Sequence, residues 1–401
     1  MSRWLRLYES VIVRTLIVLS FVMIGAGGLG MAATTGFIGL LLLPIIAIAA
    51  IRAGLSEPAP ILFLAAAVAW AGISLSWSPY DRPDQALKLS LLSPLFVLAP
   101  FALSRFSESR KDSLFRWLSA CAVILALFFL FEAASNSLIT RMLKLHIDGA
   151  AASEQAQILA DRVLGRGVSA YLMVLGPAAF GLWALGGGVR RAAALLLFLA
   201  GALGSVSFGI EANFLALCAA TVAALLAWRF PYSTLQIGLV TGAGMIIAAP
   251  LLMGAVISLL PPAMLDALPL SWAMRIEIWR FAMENIALAP VFGHGLDASR
   301  VISDVAVLRG ESFDRLPLHA HNAGLTIWLE TGAVGALLFG GVLVALSQAI
   351  GRIRISRVQA ASIAFTAVVF FTTVLVGSGV WQEWLHGALA FAIGAALLIR
   401  R

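Results

Sequence analysis

Charged residues are scarce in this sequence, and their scarcity limits what kind of protein it can be. Only 12% of its 401 residues are charged, whereas 61% are hydrophobic. A water-soluble fold cannot hide that much apolar surface. The apolar segments have the length of membrane-crossing helices rather than of short strands. The composition therefore predicts an all-α integral membrane protein that crosses the bilayer many times.

Lysine and cysteine are also rare. The formal net charge is +7, yet the chain has only three lysines, Lys88, Lys111 and Lys144. The arginines lie mostly in short connections between apolar segments, where basic residues set membrane orientation. We therefore expect no binding to nucleic acid. The two cysteines, Cys121 and Cys218, lie inside apolar runs and indicate ordinary packing residues rather than a disulfide or a metal pair.

About twelve apolar segments are long enough to cross roughly 30 Å of hydrocarbon. They divide the chain into about nine transmembrane helices in residues 1–259, a long loop over 260–321, and about three helices in 322–401. The segments lie near 12–32, 36–51, 59–76, 86–104, 114–134, 166–188, 192–206, 211–228, 235–259, 322–349, 359–377 and 383–399.

Basic residues cluster at alternate ends of these segments. The clusters are Arg52; Arg105, Arg110, Lys111 and Arg116; Arg190 and Arg191; Arg229; Arg352, Arg354 and Arg357; and Arg400 and Arg401. All of them fall on the side of the N-terminus, which the positive-inside rule makes cytoplasmic. We therefore expect both termini in the cytoplasm and the 260–321 loop on the opposite face.

The loop contains one segment with the pattern of an interfacial helix, "SWAMRIEIWRFAMENIALAP". Its apolar residues follow a narrow stripe at helical spacing: Trp272, Ile276, Trp279, Met283 and Ile286. Arg275 and Arg280 fall on opposite edges of that stripe. This pattern predicts a helix in the membrane interface, with tryptophans in the lipid and guanidinium groups at headgroup level.

The two arginines of this segment allow different interpretations. Arg280 has Glu277 and Glu284 at helical neighbour spacing, so a local ion pair explains it. Arg275 has no acid three or four residues away, which leaves a bound anion or simple solvation. The planar fork of arginine suits phosphate oxygens.

His319 and His321 stand at the start of the next apolar helix, and three roles are open for them. They could hold a metal, although zinc needs more ligands than these and His294 supply. They could anchor the helix at the interface. A neutral imidazole could also accept a proton from a hydroxyl as a general base. Glu330 lies about two turns into the following helix, where an acid is costly and usually faces the protein interior.

Together these residues carry a family resemblance. "RIEIWRFAMENIALAPVFGHGLDASR" followed by "HAHNAGLTIWLETGAVG" resembles the C-terminal half of the O-antigen ligase and O-antigen polymerase superfamily. The matching positions are Arg275, Trp279, Pro290, Gly293, Gly295, His321, Asn322, Glu330, Gly332 and Gly335.

The resemblance implies a membrane glycosyltransferase with its active site on the periplasmic face of the bacterial inner membrane. Such enzymes move a glycan from undecaprenyl pyrophosphate to a hydroxyl of lipid A-core or of a growing polysaccharide, and they need no metal or other cofactor. Ligase and polymerase cannot be told apart here. By position, the resemblance makes Arg275 and Arg300 pyrophosphate-binding, His321 the catalytic base, and His319, Asn322 and Glu330 supporting residues.

One departure concerns a Ser-Arg pair that family members often carry at the outer start of a mid-chain helix. The comparable stretch here is "SVSFGIEANF", in which Phe208 follows Ser207. This puts in doubt whether the carrier phosphate is held in the usual way.

A second class of function is a transporter or flippase for lipid-linked glycans. Twelve spans fit that architecture, and Glu132, Glu211 and Glu330 could line a path. The sequence has no internal repeat with matching broken helices, which many transporters show. A non-catalytic assembly partner is a further alternative.

Overall fold

The computed structural model describes residues 3–43, 58–147, 149 and 153–400. These residues form an all-helical bundle with one short β-hairpin. The helices of the first half are α1 Arg3–Gly25, α2 Met31–Leu41, α3 Ala59–Ser74, α4 Asp84–Ser104, α5 Glu108–Ala134, α6 Leu138–His146, α7 Ser153–Leu185 and α8 Gly188–Ser207. Those of the second half are α9 Glu211–Arg229, α10 Pro231–Ile247, α11 Ala249–Leu259, α12 Pro262–Ala267, α13 Leu270–Leu288, α14 Ala323–Ile350, α15 Arg357–Val376 and α16 Glu383–Leu398.

The apolar helices follow the predicted segments in order. Among the described residues, eight helices are long and apolar enough to cross a membrane, and a ninth span arises if the bent pair α10 and α11 counts as one. Of three shorter apolar helices, α16 matches its predicted segment, whereas the predicted helix over 12–32 is too long, because α1 ends at Gly25 and α2 begins at Met31. The fold class is therefore confirmed. Most of the predicted segment 36–51 lies outside the described residues.

The predicted span 235–259 is not one straight helix. It divides into α10 and α11, which meet at an angle of 80°. Pro250 stands in the first turn of α11, where a missing N–H is tolerated but an incoming helix cannot continue unbroken. The bend carries the chain sideways, directly before the 260–321 loop.

The 260–321 loop is structured. It contains α12, α13 and an antiparallel hairpin of β1 Val305–Leu308 and β2 Glu311–Asp314, which sequence analysis did not predict. Arg309 and Gly310 form the hairpin turn, both with positive φ as a two-residue turn requires. The Arg309 guanidinium donates to the carbonyls of Leu265, Asp266 and Leu268 at the end of α12. These hydrogen bonds attach the hairpin to the end of α12.

Helix α7 is the centre of the bundle. In its most apolar stretch of 18 residues, 78% of the residues are buried, and the helix packs against α8, α15 and α16. Small residues let these helices approach closely. A Cβ at Gly176 would lie 2.8 Å from Phe365 of α15, and one at Gly201 of α8 would lie 2.7 Å from Leu175. Within lipid, where the hydrophobic effect does not drive helices together, this close van der Waals packing stabilises the bundle.

Helix α13 forms as expected, but its apolar face meets protein. Ile276, Trp279 and Ile286 are buried and belong to one cluster with Leu316 and Leu325. The interpretation that both tryptophans of this helix point into lipid is therefore wrong for Trp279. An apolar stripe of this kind can pack against a membrane surface or against other protein segments, here the start of α14 and the loop before it. Sequence periodicity cannot distinguish burial in lipid from burial in protein.

Candidate functional site

The glycine-rich turn before the hairpin and the start of α14 are interlocked through their backbones. Helix α14 breaks at Gly332, whose φ of 64° and ψ of −166° only glycine adopts readily. The break leaves backbone groups without helical partners, and the turn supplies them. The exchanged bonds, donor first, are His294 N to Leu329 O at 2.8 Å, Gly295 N to Glu330 O at 2.8 Å and Ala333 N to Pro290 O at 2.9 Å.

The glycines of both motifs make this contact possible. A Cβ at Gly332 would overlap the carbonyl oxygen of Val291. A Cβ at Gly293 would lie 2.5 Å from the carbonyl oxygen of Glu330. The Pro-x-x-Gly-x-Gly and Glu-x-Gly patterns are thus the two halves of a single structural joint.

Glu330 is fully buried at this joint. Its carboxylate accepts three hydrogen bonds, from Asp297 N at 2.8 Å, Ser299 Oγ at 2.5 Å and Trp381 Nε1 at 2.6 Å. These donors come from the loop and from the connection between α15 and α16. Glu330 therefore fastens together segments far apart in sequence, and its contacts make it a structural support.

Arg300 has a protein partner. Its Nε lies 3.1 Å from Oδ1 of the buried Asp297, and its guanidinium lies over the Tyr80 ring at 5.7 Å. Burial raises the pKa of Asp297, although Arg300 opposes that shift. About a third of the Arg300 side chain stays accessible, at 36%. Arg300 is thus less free for a phosphate than sequence analysis suggested, since the acid three residues before it takes one side.

Asn322 begins helix α14. Its side-chain oxygen accepts a hydrogen bond from Leu325 N at 3.0 Å, which is a standard N-cap contact. The preceding residue, His321, has a left-handed backbone with φ of 49°. The cap and this turn together set the direction in which the His321 ring leaves the chain.

His321 is held in one tautomer by the backbone. Its Nδ1 lies 2.6 Å from the carbonyl oxygen of Gly377. A carbonyl only accepts, so Nδ1 carries the proton and the Nε2 lone pair of the neutral ring is left for another donor. Burial lowers the pKa of His321, as does the charge of Arg275, while the bond to Gly377 opposes the shift. The ring is therefore neutral at pH 7 and can accept a proton.

His319 packs against His321. The ring centroids are 4.3 Å apart, and His319 Nδ1 accepts a hydrogen bond from the backbone N–H of His321 at 3.1 Å. Burial lowers the pKa of His319 to about 3, helped by His321 and Arg300. Because His319 Nδ1 accepts this bond, the neutral ring carries its proton on Nε2, so neither nitrogen of His319 is left to take a proton.

Arg275 lies close enough to His321 to affect its pKa. The guanidinium is half-buried and stacks over the Trp272 ring at 4.7 Å. The indole of Trp272 donates to Glu211 at 2.8 Å, and the Glu211 carboxylate also acts electrostatically on Arg275. Sequence analysis had found no acid for Arg275, because Glu211 comes from α9. Arg280 pairs with Glu277, as the local interpretation predicts.

Sequence analysis missed one feature of the site and one partly buried arginine of α7. One is the connection between α15 and α16, residues 377–381, which contacts both histidines and Glu330. The other is Arg166 in α7, whose buried Nε has no hydrogen-bond partner among the described residues. Arg166 follows Gly165, which packs against Phe208, the residue directly after α8. The sequence "GRG" within an apolar stretch was the available signal for Arg166.

An apolar cavity of about 450 Å³ lies beside the start of α14, in the part of the bundle formed by α3, α4, α14, α15 and α16. Ala323 and Ile327, in the first turns below His321, form part of its wall. Polar lining residues include Gln85, Lys88 and Glu383, which lie in the first turns of α4 and α16, and Lys88 pairs with Glu383 at 3.3 Å. The cavity therefore suits a molecule with a long apolar chain and a polar head.

No group of three or more metal-binding side chains occurs among the described residues. The arrangement consists of a neutral histidine with a free nitrogen, two arginines nearby and an apolar cavity beside them. The long apolar helices around this arrangement are those of a polytopic membrane protein.

Comparison with known families agrees with the resemblance. Residues 163–340 match the family model described as O-antigen ligase. This part of the chain is thus similar to the O-antigen ligase family, and the resemblance found in the sequence is confirmed. The matched region contains Arg275, His321 and Glu330 as well as Arg166.

Curated relatives match over a shorter region. Proteins named "Putative polysaccharide ligase" from Rickettsia typhi and Rickettsia prowazekii are 33% and 34% identical to this chain over 118 residues. The alignment covers 28% of this chain and 29% of each relative, so the chain spans less than a third of their length in the match. No solved structure matches the chain.

Proposed function

We propose that this protein transfers a glycan from a lipid-linked pyrophosphate, of the undecaprenyl type, to an acceptor hydroxyl at the periplasmic face of the bacterial inner membrane. The observation that carries the proposal is the fixed tautomer of His321. With Nδ1–H bonded to Gly377 at 2.6 Å, Nε2 is the nitrogen that can take a proton. The match of residues 163–340 to the O-antigen ligase family model and the names of the Rickettsia relatives support a polysaccharide substrate.

The reaction requires one proton transfer and one bond exchange. The acceptor oxygen attacks the anomeric carbon of the donor sugar, and its proton passes to His321 Nε2. The bond between that carbon and the pyrophosphate oxygen breaks, and the lipid pyrophosphate leaves with the electron pair. Arg275, close to His321 and half-buried, stabilises the charge that develops on the leaving oxygen. No step requires a metal.

The cavity and the remaining arginines suit the donor. Its isoprenoid chain fits the apolar cavity below Ala323, which keeps the pyrophosphate near the histidines. The buried Nε of Arg166 has no partner in the described part of the chain, so it is a further candidate for a phosphate oxygen. The exposed side of Arg300 is another. The acceptor is either lipid A-core or a growing polysaccharide.

The carboxylates that a transport path would use serve local structure instead. Glu132 accepts backbone N–H bonds from Ile139 and Thr140, Glu330 is bound by three donors, and Glu211 accepts from Trp272. None of these contacts links one acid to the next. Their use as structural acceptors favours an enzyme over a transporter or flippase.

The test compares His321→Ala with His319→Ala. Purified variants are reconstituted with a lipid-pyrophosphate-linked glycan and candidate acceptors, and product is counted per folded molecule. A positioned base contributes about 10²- to 10⁴-fold in rate, so His321→Ala should nearly abolish transfer. His319→Ala should retain more activity, and chelators should have no effect. Near-normal turnover by His321→Ala would remove the base assignment.

A further inference from the structure

The connection between α15 and α16, residues 377–381, touches both histidines of the proposed site. The carbonyl oxygen of Gly377 accepts the hydrogen bond from His321 Nδ1 at 2.6 Å. Gly379 lies against the His319 ring, where a Cβ would be 2.8 Å from Cδ2 and 3.1 Å from Cγ. No side chain fits there without displacing the ring. This connection therefore sets the positions of both imidazoles.

Three other parts of the bundle hold the connection in place. Trp381 Nε1 donates to Glu330 at 2.6 Å, and Gln85 Nε2 of α4 donates to the Trp381 carbonyl at 2.9 Å. His386 Nε2 lies 2.6 Å from the carbonyl of Val380, and a carbonyl accepts, so the histidine donates. The segment is short and buried from Gly379 to Trp381, and its polar contacts anchor it from several sides.

We propose that Trp381 is a positioning residue for the transfer reaction. Its indole N–H, bound to Glu330, keeps the 377–381 connection where the Gly377 carbonyl selects the Nδ1–H tautomer of His321. A neutral imidazole carries a single proton, so a displaced carbonyl frees that proton to move to Nε2. The base nitrogen is then blocked in part of the molecules. This inference rests on the proposed function, since it assigns His321 Nε2 as the base.

The same connection joins the histidines to the apolar cavity. Val380 and Trp381 both line that cavity, while Gly377 and Gly379, a few residues earlier, contact the two rings. A lipid chain in the cavity would lie against the segment that orients the base. Trp381 thus lies between the cavity proposed for the donor's apolar chain and the histidines proposed to act on its pyrophosphate end.

The first experiment replaces the indole by a ring without a donor. Trp381→Phe keeps an aromatic side chain and removes the bond to Glu330. Misplacement of a reacting group by about 1 Å can cost up to about 10²-fold, so kcat should fall by about 10- to 100-fold while KM for donor and acceptor changes little. Trp328→Phe is the matched control. Its indole donates to the backbone carbonyls of Ile246 and Ile247, away from the connection, and turnover should be retained.

The second experiment observes the tautomer directly. The protein is labelled with 15N-histidine in lipid nanodiscs, and the His321 signals are assigned by their loss in His321→Ala. The wild-type ring should show a protonated Nδ1 and a bare Nε2. Trp381→Phe should add signals from the opposite tautomer, and Trp328→Phe should not. Gly379→Ala, which displaces the neighbouring His319 ring, should lower kcat without involving the indole bond.

The outcomes separate the inference from the function it rests on. If His321→Ala is inactive while Trp381→Phe and Gly379→Ala keep normal turnover per folded molecule, the positioning role is overturned and the function stands. Loss of folded protein with unchanged kcat and tautomer overturns the positioning role in the same way. If His321→Ala itself turns over normally, the base assignment fails and the inference fails with it.

Discussion

At the scale of single residues, the proposed site is defined by the neutrality of its histidines. Each imidazole is partly buried and is acted on electrostatically by one arginine, His321 by Arg275 and His319 by Arg300. Both conditions disfavour the protonated ring. The left-handed backbone of His321 costs about 1 kcal/mol or more for a residue with a Cβ. The N-cap of Asn322 and the bond to Gly377 maintain it, and the result is a neutral ring whose Nδ1–H is bound to the backbone.

This neutrality predicts how transfer depends on pH. The base works only when unprotonated, and burial lowers the pKa of His321 from its ordinary value of 6.5. The acid limb of kcat/KM should therefore fall below pH 6.5, and activity should be flat from there to neutral pH. The measurement is kcat/KM against pH in nanodiscs, corrected for folded protein. An acid limb centred well above pH 6.5 would show that His321 is not the titrating base.

The two arginines of α13 offer a matched comparison. Arg275 acts electrostatically on His321, whereas Arg280 is paired with Glu277. If Arg275 binds the pyrophosphate with its planar fork, Arg275→Lys should reduce kcat/KM by about 10-fold or more, because a point charge loses the second hydrogen bond. Arg280→Lys should stay within about twofold, since an exposed ion pair contributes little. Transfer assays on both variants decide, and equal tolerance would indicate that Arg275 is merely solvated.

At the scale of elements, the joint between the glycine turn and α14 explains why the motif has its spacing. Gly293 and Gly295 on one side meet Glu330 and Gly332 on the other, and each glycine stands where a Cβ would clash with backbone. The sequence could predict that these glycines matter, because they recur in a family pattern. It could not predict that α14 breaks at Gly332, since the helical periodicity continues on both sides of the break.

The break itself can be tested. Gly332→Ala places a Cβ against the Val291 carbonyl and forces an unfavourable φ, which costs of order 1–3 kcal/mol before the clash is counted. We expect a lower thermal midpoint and weaker transfer. Gly244→Ala is the control, because Gly244 lies inside α10 and its added Cβ would have no described atom within 4 Å. A Gly332→Ala protein as stable as Gly244→Ala would contradict the joint.

The candidate site was only partly predictable, for a reason that lies in chain distance. His321, Asn322 and Glu330 are close in sequence, so one motif reveals them together. Gly377 and Trp381, which contact His321 and Glu330, lie in the connection between α15 and α16. Glu211, which binds the Trp272 indole, is 61 residues away from it in sequence. Such partners leave no periodic signal. Arg300 shows the opposite error, because its local partner Asp297 was visible in sequence but was not considered.

At the scale of the whole molecule, apolar length predicted the order of the helices and missed their bends. The 235–259 segment was taken as one span although Pro250 stands inside it, and the chain turns by 80° there. The hairpin 305–314 was missed because its strands are four residues each and their alternation is weak. Hydropathy predicts the number of apolar segments well, because each segment is recognised from the summed hydropathy of many residues. Direction changes depend on single residues.

Orientation in the membrane is the last property that the sequence predicts and an experiment must decide. Helix α14 runs from Ala323 to Ile350, is broken once at Gly332 and is long and apolar enough to cross a membrane, so we expect its two ends on opposite faces of the bilayer. The basic cluster of Arg352, Arg354 and Arg357 follows its C-terminal end and should be cytoplasmic. His321 would then lie at the periplasmic face.

A reporter active only in the periplasm should work when fused after Arg309 and fail after Arg354, while a cytoplasmic reporter shows the reverse. A fusion after Arg229, another basic end, serves as the cytoplasmic control. The opposite pattern would place the histidines in the cytosol, away from any exported glycan, and the proposed reaction would have no substrate there.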